Sequence, residues 1–255
     1  MFGNLLRSIL CVSLPLAAQM ATAVPQLEAT ASERLAARDA SGALAAYEKL
    51  AELVPASAAY QDEIGFLLAA TNRNRDAIAH LERATQLDPG MAQAWYHLGM
   101  ALWLTQQPDP AIHALKKAVT LAPDHGDYHY QLGAAEAQTG HYRDAIPELV
   151  RASKQMPANA LVWETLGDAY QKLARYKEAR DVYRQALRLD AKNDLVRNSY
   201  GNALVRSGDP AAGLREFRAI LAHDPHNFHV QVNLGYAYIA AGDFKAAIEH
   251  LSTLL

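Results

Sequence analysis

The chain has 255 residues, 51% of them hydrophobic and 20% charged, which is enough apolar mass for a core and too much for a disordered chain. Its 24 lysines and arginines stand against 27 aspartates and glutamates, a formal charge of −3. With no basic cluster, that balance excludes the electrostatic footprint of nucleic-acid binding. At the N-terminus, Arg7, the apolar stretch Ser8 to Ala18 and the small-residue site Ala21-Thr22-Ala23 have the form of a secretory signal. Cleavage is expected after Ala23, making residues 1–23 a signal peptide and the mature protein exported, periplasmic or extracellular, with a bacterial envelope as the expected compartment. The run falls short of the ~20 apolar residues a spanning helix needs, so no membrane span is expected after cleavage. Cys11, the one cysteine, falls within this segment, and thiol catalysis and thiolate metal sites are excluded from the mature chain.

Residues 24–57 read as an N-terminal cap or degenerate first repeat. The polar stretch Ser32 to Asp39 suits a solvated end, while Ala43, Tyr47 and Pro55 begin a pattern that strengthens further on. From there a ladder of glycines runs through the chain: Gly65, Gly99, Gly133, Gly167, Gly201 and Gly235, each 34 residues after the last. A small-residue column follows at Ala77, Ala111, Ala145, Ala179, Gly213 and Ala247. A bulky one stands four residues later at Leu81, Leu115, Leu149, Tyr183, Phe217 and Leu251, the spacing of neighbours on one helix face. Pro89, Pro123, Pro157 and Pro225 close the period, since a residue without an N–H ends a helix.

Helical i, i+4 pairs that return at a fixed interval describe a stacked array whose units bury their apolar faces only against their neighbours. Glycine or alanine at each crossing lets two helices approach. The motifs Trp95-x-x-Leu98-Gly99-x-x-Leu102, Ala111-x-x-x-Leu115 and Trp163-x-x-Leu166-Gly167-x-x-Tyr170 resemble the tetratricopeptide repeat. The resemblance implies an all-α, right-handed superhelical solenoid of about six to seven repeats. Six tandem units are expected at 58–91, 92–125, 126–159, 160–193, 194–227 and 228–255, the last truncated.

Nothing in the chain matches a phosphate-binding glycine loop, a nucleophile elbow or a zinc-binding His-Glu-x-x-His motif, and neither enzyme activity nor a cofactor is expected. His226 and His229 share a turn with His223, where solvated loop histidines are a more economical reading than a metal site. Function is therefore expected on the concave wall of the solenoid, lined by the first helix of each pair. On the helix from Trp95 to Trp103, Trp95, Leu98, Gly99 and Leu102 belong to the repeat's packing. Tyr96, Met100 and Trp103 lie on a neighbouring face. Stepping by one period adds Asp62 and Phe66 before them and Tyr130 after them, then Glu164 and Asp168. Phe66, Tyr96, Met100, Trp103 and Tyr130 are expected to anchor a protein or peptide partner, because aromatics and methionine are enriched where partners bind. Asn198, Asn202 and Asn233 would supply amides to an extended backbone. Of these, Asn202 and Asn233 match two asparagines of the carboxylate clamp found in some tetratricopeptide proteins, although Asn198 stands where that clamp has a lysine. Leu251, Leu254 and Leu255, on a last helix with no successor, are expected to dock on a partner or on a second copy.

Overall fold

A computed structural model describes residues 16–254. Most of the expected signal segment, Cys11 included, and Leu255 lie outside these described residues. The described residues form α-helices joined by short turns, in two compact units.

The unit up to Gln107 holds α1 (Leu16–Ala36), α2 (Ala40–Leu53), α3 (Ala58–Ala70), α4 (Asn74–Leu87) and α5 (Ala92–Leu104). Helix α1 runs through the position of the expected cleavage after Ala23. The unit from Pro108 holds α6 (Pro108–Leu121), α7 (Gly126–Gln138), α8 (Tyr142–Gln155), α9 (Ala160–Lys172), α10 (Tyr176–Leu189), α11 (Asp194–Arg206), α12 (Pro210–Leu221), α13 (Phe228–Ala240) and α14 (Phe244–Ser252). Within each unit, helices adjacent in sequence pack on one another. None of the described helices is long and apolar enough to cross a membrane.

Local chemistry sets where these helices start and turn. Asp39, Ser57, Asn159, Asn193, Asp209, Asn227 and Asp243 each accept a hydrogen bond from a backbone N–H of the helix that follows, satisfying a donor that has no partner inside the helix. In the turns between paired helices within each unit, one residue takes the left-handed conformation: Arg38, Asn72, Gly140, Ala174, Gly208 and Gly242; Gln106, just after α5, does the same. These positions recur every 34 residues and carry the periodic pattern back into the α1–α2 turn, ahead of the glycine ladder.

The ladder itself marks where the helices of a pair cross. A Cβ on Gly167 would stand 2.5 Å from Tyr183 Cε1, too close for any side chain, so the bulky residue of the second helix fills the space the glycine leaves. Gly65 meets Leu81 in the same way. Gly213 has a separate reason to lack a side chain. Its Cβ would meet Val205 Cγ2 at 2.5 Å and the Gly201 carbonyl at 2.9 Å, so close approach to α11 outweighs the propensity cost of a glycine inside a helix.

Candidate functional site

The columns first assigned to a groove do two jobs. In the N-terminal unit, the Asp62 side chain is fully buried. His97 Nδ1 lies 2.9 Å from its Oδ1 and Gln93 Nε2 donates to its Oδ2 at 3.2 Å. Asp62 therefore joins α3 to α5 and does not face a ligand, correcting its placement on the groove wall. Phe66, 43% exposed, stacks on the His97 ring at 4.9 Å between centroids, and Tyr96 lies 5.7 Å from the same ring. Met100 and Trp103, further along α5, are half-buried. Burial, with the charge of Asp62 adding to it, pushes the neighbouring Glu63 carboxyl above its ordinary value.

In the C-terminal unit the equivalent columns line an open groove of about 370 Å³ between α7 and α9. Tyr130, Ala134 and Ala137 line it from α7, and Leu161, Glu164, Asp168 and Lys172 line it from α9. Leu161 is 51% exposed. Burial raises the Glu164 carboxyl, and Asp168 beside it adds to the shift. Asp168 is raised by burial too, opposed by the Tyr183 hydroxyl that donates to its Oδ1 at 2.6 Å. Burial likewise raises the Tyr130 phenol, with Thr165 opposing and Glu164 adding.

Further along this unit, Asn233 Nδ2 donates to Asn198 Oδ1 at 2.9 Å, tying α13 to α11, while Asn202 is half-buried. Two of the three amides thus spend one hydrogen bond on each other. The Asn198–Asn233 pair and the Asp62–His97 pair occupy the same two columns, so this position links neighbouring repeats and only partly faces outward. On α14, Leu251 is half-buried against Gly235, and Leu254, in the turn just beyond that helix, is half-buried also. His223 Nε2 lies 2.7 Å from Asp194 Oδ2. Among the described residues no three histidine, cysteine or carboxylate side chains are grouped to hold a metal ion.

One column read from the sequence as packing has a further task. Trp95 and Trp163 donate through Nε1 to the carbonyls of Pro89 and Pro157, six residues back, each at 3.0 Å. His129 Nε2, Arg197 Nη2 and Gln231 Nε2 reach the carbonyls of Pro123, Ala191 and Pro225 from the same column, at 2.8, 2.6 and 2.6 Å. Five residues of four types satisfy the same turn carbonyl, because what the turn requires is an N–H at the right reach. The signal was present in the 34-residue alignment but hidden by the change of residue.

A family model described as the tetratricopeptide domain of cytochrome c-type biogenesis protein H matches residues 150–255, and a tetratricopeptide repeat model matches residues 63–126 and 105–149. No curated protein matches the chain by sequence. Among solved structures, MamA is similar at 24% identity and a TM-score of 0.61, over 68% of this chain and 94% of that one. YrrB, described as a tetratricopeptide protein with an unusual peptide-binding site, is similar at 19% identity and a TM-score of 0.68, over 72% and 95%. A MamA fragment from Desulfovibrio magneticus RS-1 is similar at 20% identity and a TM-score of 0.60, over 67% and 97%. At these identities the likeness is one of fold. The repeat models, the helix pairs and these folds together make the chain a tetratricopeptide repeat protein.

Proposed function

We propose that the chain is a non-catalytic protein-binding module that holds a peptide or an extended segment of a partner against the first helices of its pairs. The observation that carries this reading is the groove between α7 and α9, where Tyr130 of α7 stands with Leu161, Glu164 and Asp168 of α9 around one open space. Apolar side chains with a few placed polar groups suit a bound side chain and the backbone that carries it. The likeness of fold to YrrB, whose description names a peptide-binding site, supports the same mode. Phe66, Tyr96, Met100 and Trp103 are proposed as further anchors in the N-terminal unit, and Asn202 as an amide that meets the partner's backbone.

A peptide library selected on the full chain tests the reading. Selected peptides should lose affinity by about 1 to 3 kcal/mol for Tyr130→Ala or Trp103→Ala, the cost of truncating an interface anchor. Unchanged binding by a Tyr130→Ala, Leu161→Ala double variant that keeps its melting temperature would overturn it. Export to the cell envelope is part of the proposal, supported by the signal-like N-terminus and by the match to the cytochrome c biogenesis domain. N-terminal sequencing of the protein from an envelope fraction should find Val24 first, and material beginning at Met1 would refute cleavage.

A further inference from the structure

Aligned on the 34-residue period, one column of the first helix is filled by Leu68, Leu102, Tyr170, Leu204 and Tyr238. The same column on α7 holds Glu136, whose side chain is only 3% exposed. A carboxylate in a place that the repeat fills with large apolar residues weakens packing and demands compensation. The compensation is incomplete. Lys116 Nζ on α6 donates to Glu136 Oε1 at 3.0 Å, but Oε2 is buried with no hydrogen-bond partner.

Glu136 and Lys116 both line two neighbouring cavities, of about 500 Å³ and about 180 Å³. The larger has apolar walls in Val119, Leu132 and Pro147 and carries Asp144, Glu148 and Arg151. Three carboxylates there face two cations, one of which, Arg151, lies 3.9 Å from Glu148. Burial raises the Glu136 carboxyl, Lys116 opposes the shift, and Asp144 and Glu148 add to it. The cavities use a different face of α7 from the groove that Tyr130 and Ala134 line.

We propose that this cavity between α6, α7 and α8 is a second binding site, which takes the guanidinium of an arginine side chain from a partner protein onto Glu136. Lys116 is the stand-in. Its side chain is 55% exposed, so it can turn out into solvent when a cation of better-matched shape takes its place. An ammonium satisfies one carboxylate oxygen, whereas the planar fork of a guanidinium satisfies two at once. The apolar walls suit the methylene stem of an arginine.

The test is titration of the full chain with N-acetyl-arginine methylamide, followed by amide NMR shifts at Glu136, Lys116 and Asp144. The lysine and citrulline analogues and free L-arginine serve as comparisons. Saturable shifts with the arginine probe are expected, about tenfold weaker with neutral citrulline. Lys116→Met should strengthen them by removing the competitor, and Glu136→Gln should abolish them. Tyr130→Ala should leave them unchanged, which separates this site from the proposed groove. Equal response to citrulline, or weaker binding in Lys116→Met, would overturn the site. Tighter binding of free L-arginine than of the blocked probe would overturn a protein partner in favour of a small metabolite. A Lys116→Met variant that keeps the parent's melting temperature keeps the test decisive if Glu136→Gln fails to fold.

Discussion

His129 and Glu148 stand nineteen residues apart and hydrogen-bond to each other inside the pair formed by α7 and α8. One period later the same two columns hold Trp163 and Val182, packed in an apolar cluster. Polar answers polar elsewhere too: Gln61 bonds His80 at 2.8 Å and Arg197 bonds Glu216 at 2.9 Å. The two columns therefore change together, because a half-buried donor left without its acceptor costs more than an apolar pair of the same shape.

His129→Trp alone should destabilise the protein, since it removes the hydrogen bond that the Glu148 carboxylate makes inside the pair. Adding Glu148→Val should recover most of the loss by recreating the Trp163–Val182 pair. A double-mutant cycle in urea is expected to give a coupling of about 1 to 3 kcal/mol. Additive effects would show the columns to be independent.

Gly213→Ala should lower stability, although alanine is the better helix former by about 1 kcal/mol. The new methyl would press on Val205 and on the Gly201 carbonyl, and a backbone atom cannot swing aside. A rise in the melting temperature would contradict the close approach of α11 and α12.

Ala174→Gly should act in the opposite sense. Ala174 holds a φ of 56° in the turn between α9 and α10, where Gly140, Gly208 and Gly242 serve the equivalent turns. Relief of the left-handed strain is worth about 1 kcal/mol, which thermal denaturation would register as a higher midpoint.

Glu136→Leu should stabilise the chain by about 1 to 3 kcal/mol at neutral pH, as replacing buried charge by apolar volume often does. The sign of its pH dependence follows from the raised carboxyl. A group whose pKa is higher in the folded state favours folding most below its unfolded value, and that advantage disappears as pH rises through the folded value. The gap in melting temperature between Glu136→Leu and the parent should therefore widen from pH 4 to pH 8. A gap that narrows would mean the carboxylate is stabilised where it stands.

Much of this could be read from the chain alone. The ladder from Gly65 to Gly235 and its bulky partners established the helix pairs, because close packing tolerates no Cβ where Tyr183 or Phe217 must enter. A property repeated at a fixed interval is legible whenever one residue type alone satisfies it. The candidate site was less so. Sequence placed Asp62, Tyr96, Tyr130, Glu164 and Asn198 in one column and read that column as a groove wall; the tertiary structure turned Asp62 inward onto His97 and joined Asn198 to Asn233.

The physical reason is one of range. Helix periodicity, caps and crossings depend on residues within one pair and are written in local spacing. Whether a polar side chain faces solvent or a neighbouring helix depends on what the next repeat presents to it, some thirty-five residues on. Only the packed chain decided that Trp95, His129 and Arg197 serve one turn carbonyl in common. The same packing buried Glu136 in a column of leucines and tyrosines, with one oxygen unpaired.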